Sequence, residues 1–298
     1  MKKVVSISLG SSRRDHEAIA DLLGHRVRIQ RIGVDGDFER ARALFLELDG
    51  KVDAFGMGGC EFGINFNDRY YRLRSVAPLI KGIKTPVVDG SGFRGVVERS
   101  MAGFVTNKLA DSIESKRVLC CVASARYDLV LGFHESGFAV KFGDPGFILG
   151  LPIGSTRFWL AKLAGRVFIP LVVRAPFSWL YPTGTKQHSN KPRFKSWFDW
   201  ATIIADDFLY IRRYLPEQID GKIIVTNTTT REDQEMLRQR GAKYLVTSTP
   251  ILDGRSFGTN VLEAALTAVA GKFRQLSRNE MQLAIKEAGI QPQITRLN

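Results

Sequence analysis

At 298 residues the chain is too long for one small module and has a length that divides naturally into two domains. Its 44% hydrophobic and 24% charged residues lie in the ordinary globular range, which argues against disordered and fibrous classes. Forty-three Lys and Arg against 30 Asp and Glu leave a net charge of +13, which points to an anionic partner: a small molecule, nucleic acid or a lipid surface.

The opening MKKVVSISLG reads as a first strand rather than a signal peptide, because Arg13, Arg14, Asp15 and Glu17 follow its short apolar stretch at once. Strands are expected at Val4 to Leu9, Val27 to Ile32, Val52 to Met57 and Pro86 to Val88. Phe38, Ala41, Leu44, Phe45 and Leu48 recur at helical spacing between two of them. Phe62 to Phe66 and Arg69 to Leu73 flank Asn67-Asp68 as a hairpin, and Glu98 to Val105 is a helix leading out of this unit. The pattern GMGGCEFG, residues 56 to 63, lacks the context of a dinucleotide fingerprint, since a hairpin follows it instead of a helix.

A second unit opens with a strand at Val118 to Ala123, a short helix and a strand at Phe138 to Phe142. The loop Ser124 to Arg126 before that helix, with Asp144 after the strand, occupies the places where a cofactor's phosphate and ribose are held, although the glycines of that motif are missing. From Asp144 to Asp199 the chain has no intervening acidic residue and eight basic ones, with Trp159, Trp179, Tyr181, Phe194 and Trp197 among them. Such a mixture suits nucleic-acid backbone neutralisation and base stacking, or simply a core helix with a basic loop. Pro170, Pro176, Pro182 and Pro192 argue against one long amphipathic membrane helix. Phe147 to Leu151 and Val167 to Val173 serve a subunit interface as readily as a core.

Trp197, Trp200, Ile204, Phe208, Ile211 and Leu215 follow at steps of three and four, which predicts a single helix over 196–215. Asp199, Thr202, Asp206 and Arg213 fall on its opposite side and Asp207 at the margin, where partial desolvation suits a carboxylate to proton transfer or an Arg pairs with it. Strands at Lys222 to Thr226 and Tyr244 to Thr247 enclose a helix from Arg231 to Arg240, with Thr230 and Asp233 as a capping box. A helix from Val261 to Ala270 is expected to be capped by Asn260, and Ser277 to Gly289 forms a last helix.

Parallel α/β sheets bind ligands beyond the carboxyl ends of their strands. That directs attention to Gly10-Ser11-Ser12, to Asp89 and Ser91, to Thr226, Asn227 and Thr228, and to residues 249–260, where Arg255 precedes a helix start suited to an anion. The four histidines and the three cysteines, Cys60, Cys120 and Cys121, show no metal-ligand or C-x-x-C spacing, so no metal is expected and a reducing, cytoplasmic setting is. The fold expected is α/β in two domains: an N-terminal α/β substrate domain over 1–114, a Rossmann-like, mainly parallel domain over 115–275 with a basic helical insertion at about 145–216, and a C-terminal helix over 276–298 that returns to the first.

The segments SLGSS, VDGD, TPVVDGSG, WLYPTGTKQ, DDFLYIRRYLP, TNTTT and GRSFGTN, spread over essentially the whole chain, resemble bacterial proteins of the quinate/shikimate 5-dehydrogenase type. The resemblance implies a substrate domain, a nicotinamide domain and a returning helix, with hydride passing between NAD or NADP and a hydroxyl of a small carboxylated polyol. It implies Lys186 and Asp207 as the proton-handling pair, with Asp89 as substitute. Ser124, Arg126, Asp144, Thr226, Asn227 and Thr228 would then line the cofactor, and Asp89, Ser91, Arg255 and Asn260 the substrate. The alternative from the residues themselves is a non-redox binding protein for an anionic ligand or nucleic acid on the same scaffold. A thermal-shift screen with both cofactors and both polyols separates these readings.

Overall fold

The computed structural model describes residues 1–67, 69–177, 190–249, 251–252, 255–256 and 258–298. The fold is α/β, organised around two twisted sheets. In the first, β1 (Lys2–Ser8), β3 (His25–Gly33), β4 (Ala54–Gly58) and β7 (Val87–Val88) run parallel in the order β3-β1-β4-β7. An edge strand β2 (His16–Leu22) pairs antiparallel with β3. In the second, β9 (Ala139–Phe142), β8 (Arg117–Cys120), β10 (Ile203–Ala205), β11 (Ile223–Thr226) and β12 (Tyr244–Thr247) are parallel neighbours in that order. Both orders are doubly wound: the chain lays down one strand on one side of its first strand, then moves to the other side. Ligands bind at the point of that reversal.

Alternation along the strands explains the layering. Val4 faces a middle layer while Val5 and Ile7 face outward to Phe45 of α1 (Phe38–Leu48). Ile203 and Ile223 face the middle, whereas Ile204 and Ile224 face Phe208 and Ile211 of α7 (Phe208–Tyr214) and Leu237 of α8 (Arg231–Gln239). The middle layer holds α2 (Ser91–Leu109), α3 (Tyr127–Glu135), α9 (Thr259–Ala270) and α10 (Arg278–Glu287). Phe93, Met101, Phe133, Leu262, Leu266 and Met281 from these helices form one continuous core with both sheets.

The single helix expected over 196–215 is instead three elements: α6 (Lys195–Trp200), strand β10 and α7. Ala201 to Asp206 is buried throughout, as a central parallel strand must be on both faces. The apolar steps of three and four are satisfied equally by helix, strand and helix, so periodicity alone could not separate them. The expected insertion at 145–216 therefore contains a central strand of the second sheet. A helix of that insertion, α5 (Phe158–Val172), sends Ile169 into the core of the first unit, against the hairpin of β5 (Gly63–Phe66) and β6 (Arg69–Arg72).

The C-terminal helix α10 packs on α2, within the span 1–114, and a second element crosses between the units as well. That element is α9, which packs on β1, β3 and β4. After α10 the chain adds β15 (Gln293–Arg296) to the second sheet, antiparallel to β12. Asn260 is not a cap: the N-cap of α9 is Gly258, and a short pair, β13 (Ile251–Leu252) and β14 (Arg255–Ser256), precedes it. The boxes at Thr230 with Asp233 and at Ser277 with Glu280 form as their spacing requires.

Candidate functional site

At the reversal point of the second sheet, between the ends of β8 and β10, charge fills the crevice. Arg126, 5% exposed, donates from Nη1 to Glu98 Oε1 at 2.6 Å and from Nη2 to Asp207 Oδ2. Arg94 on α2 pairs with Glu61, beyond β4, and lies 3.9 Å from Glu98. The chain of charges Glu61, Arg94, Glu98, Arg126 and Asp207 thus runs from the strand ends of one sheet to those of the other. Burial alone would lower the Arg126 pKa; the Glu98 and Asp207 carboxylates more than reverse this and hold it charged. Removing one partner from such a chain costs about 3–5 kcal/mol, because the remaining charge stays buried.

Asp207, one of the two residues expected to handle a proton, is committed to structure. It caps α7 by accepting from Leu209 N at 2.9 Å, and it also accepts from Arg126 and from Asn227 Nδ2 at 2.8 Å. Asn227 in turn accepts from Phe208 N and from the Thr226 hydroxyl; Thr228 is half-buried beside them. Next to this group Asp206, 1% exposed, accepts from Val122 N and Asp207 N, each at 2.6 Å, and burial raises its pKa to about 7.

Asp144 follows β9, where a ribose-holding carboxylate belongs, but its oxygens turn back. They accept from Ala123 N at 3.1 Å and Ser124 N at 2.9 Å. Those amides are the groups a dinucleotide pyrophosphate would seek, and a carboxylate of the chain occupies them. Together with the absence of glycine from residues 123–126, this arrangement does not fit a nicotinamide dinucleotide at the loop. Arg126 is turned away from it into the Glu98 and Asp207 contacts.

In the first sheet, Asp89 Oδ1 accepts from Ser91 N at 2.9 Å, closing an Asp turn on its own backbone, and Oδ2 accepts at 2.6 Å from Phe62 N, in the segment between β4 and β5. Burial, then the charge of Glu61, raises the Asp89 pKa. Asn260 donates to Ser6 Oγ at 2.8 Å, inside the packing of α9 on β1. Gly56 and Gly90 are cleared for that approach: a Cβ would lie 2.8 Å from Asn260 O at the first and 2.5 Å from Asn260 N at the second. Glu263, also on α9, accepts from Gly92 N and Phe93 N at the start of α2. Burial raises its pKa to about 7. Lys186 and the side chain of Arg255 lie outside the described residues.

The turn after β1 behaves differently. Arg14 Nη2 and Arg31 Nη2 both approach Gly10, 2.7 and 3.3 Å from where its Cβ would stand, with Ser8 Oγ also at 3.3 Å. Arg31 Nη1 donates to Ser11 O and to Asp15, while Nη2 is buried without a hydrogen-bond partner among the described residues. Burial, then the neighbouring Arg14 charge, lowers the Arg31 pKa. Two guanidinium groups and an unused donor therefore converge at the reversal point of the first sheet. The sequence offered the Gly10-Ser11-Ser12 loop but not Arg31, which stands 20 positions further on, on β3. Glu61, Arg94, Glu98, Asp206 and Glu263 were missed in the same way, since nothing local marks a residue whose partner is distant.

Two open depressions lie elsewhere, one of about 570 Å³ beside Ile148, Leu149, Gly150, Arg193 and Phe194, and one of about 510 Å³ beside Met1, Lys2, His25 and Asp53. Among the described residues no cluster of His, Cys, Asp and Glu is placed to hold a metal.

No curated protein matches the chain. Solved structures similar to it include a Mycobacterium smegmatis protein in complex with beta-D-fucofuranose, 13% identical over 100% of this chain and 92% of its own, with a TM-score of 0.35. An NAD-dependent malic enzyme from Thermotoga maritima is 13% identical over 96% of this chain and 84% of its own, with a TM-score of 0.38. A periplasmic ribose ABC transporter protein from Conexibacter woesei is 11% identical over 93% and 88%, with a TM-score of 0.41. These scores are too low to carry a function across. Residues 3–89 match the model described as domain of unknown function DUF8753. Residues 92–297, more than half of the chain, match domain of unknown function DUF8754, and the chain belongs to that family.

Proposed function

We propose that the protein binds a small anion at the carboxyl edge of its first sheet, between the turn Gly10 to Arg14 and the ends of β3 and β4. Arg14 and Arg31 take its charge. The observation that carries this reading is the convergence of both guanidinium groups on Gly10, with Arg31 Nη2 buried and unpaired among the described residues. Like charges brought together at a strand end are stabilised by an anion between them. The polyol carboxylates quinate and shikimate, named by the sequence resemblance, are the ligands to test first. Three buried free cysteines accord with a cytoplasmic setting.

Nicotinamide-dependent oxidation of such a polyol is the competing reading. The strand order of the second sheet and the place of Asp144 after β9 favour it; the engagement of Asp144 with Ala123 and Ser124, and of Asp207 with Arg126, opposes it. Calorimetric titration and thermal shift with quinate, shikimate, inorganic phosphate, NAD, NADP and a short oligonucleotide test both. The expected outcome is stabilisation by a small anion, lost in Arg31→Met, with no response to either dinucleotide. Unchanged anion binding in Arg31→Met removes the proposed site. Saturable NADP or NAD binding with quinate-dependent reduction replaces it by the dehydrogenase reading.

A further inference from the structure

Helix α5 is apolar around nearly its whole circumference, a composition expected of a helix enclosed on all sides. Its inward side is enclosed: Ile169 is buried in the first unit's core, and the Phe66 ring leaves no room for a side chain at Gly165. Its outward side is not. Trp159, Leu163, Val167 and Leu171 follow at four-residue steps with Phe168 and Val172 beside them, and these six are 38–60% exposed. On the preceding turn, Ile148, Leu149, Leu151 and Ile153 are 46–63% exposed, with Arg193 close to Gly150. Large apolar side chains left exposed in this number along one helix face mark an interaction face.

The charge around it selects the partner. Both apolar elements lie within the span 145–198, which carries eight Lys and Arg and no Asp or Glu. Exposed Arg157 and Arg174 flank α5 at its two ends. A second copy of the chain would set two such spans against each other, whereas an anionic lipid surface satisfies both the apolar arc and the positive rim. No described helix is long and apolar enough to cross a bilayer, so α5 would lie along it. We propose that α5 and the turn before it dock on the surface of an anionic bilayer, with the outward arc among the acyl chains and Arg157 and Arg174 at the headgroups.

The test is flotation of the full chain with phosphatidylcholine vesicles, with and without phosphatidylglycerol. Binding is expected only with the anionic lipid, weakening with added salt. Leu163→Glu and Phe168→Glu, at exposed positions that leave the core intact, should each lower the bound fraction about tenfold with unchanged circular dichroism. Arg31→Met should float as the unaltered protein does, which separates this surface from the proposed anion site. Absence of flotation with phosphatidylglycerol at low salt overturns the proposal, as does undiminished flotation of both Glu variants. A concentration-dependent dimer that Leu163→Glu dissociates, without vesicle binding, would assign the face to a second copy instead.

Discussion

Glu263 reaches from α9 to the first amides of α2; Gly92 N, Phe93 N and Gln275 are its donors, and Asp89 adds a like charge. Burial lifts its pKa from an ordinary 4.5 to about 7, so the folded chain holds this proton more tightly than the unfolded chain does. Its contribution to stability is therefore fullest below about pH 4.5 and declines as pH rises towards 7, by about 3 kcal/mol in all. Glu263→Gln keeps an acceptor for α2, and the Gln275 amide can turn to meet the new donor. Urea unfolding from pH 4 to 8 should show this part of the slope removed in the variant, with the variant the more stable at pH 8. A parallel slope in both proteins would mean that the carboxyl stays ionised in the fold.

The way α9 meets the first sheet shows why small residues recur at the strand ends. Gly90 has φ of +89°, a left-handed conformation that disfavours side chains, and Thr259 and Asn260 crowd the place of its Cβ. Gly90→Ala should cost about 2–3 kcal/mol, read as a lower urea midpoint at an unchanged m-value. A loss below 0.5 kcal/mol would show that α9 can move aside. In the sequence these glycines look like groups that admit a ligand; in the fold Gly90 admits a helix from 170 positions away, and Gly56 the same helix from 204. Signals that act within a few residues were legible: the hairpin about Asn67, the capping box at Thr230 with Asp233 and most parallel strands. Edge strand β2 was not, because HEAIADL contains a single β-branched residue, and β10 was hidden by a periodicity shared with its flanking helices. The charges that meet in the crevice were invisible, since Arg126 finds Glu98 at 28 positions' separation and Asp207 at 81.

At the scale of the whole molecule, both sheets close over one layer of helices, and residues of α2, α9 and α10 belong to the same apolar core as strands of each sheet. Neither sheet has an inner face of its own to bury without them. Burial on this pattern predicts that heating gives one transition in calorimetry, with equal calorimetric and van't Hoff enthalpies. Two separated transitions would show that the units melt independently. The two family models divide the chain between residues 89 and 92, yet the first strands depend on α9 from the far side of that boundary. Severed there, the shorter piece would display a bare greasy plane and the longer piece a homeless helix, each the complement of the other. Such fragments, produced together, would be expected to find one another and reassemble, a self-mending pair onto which a reporter could be grafted.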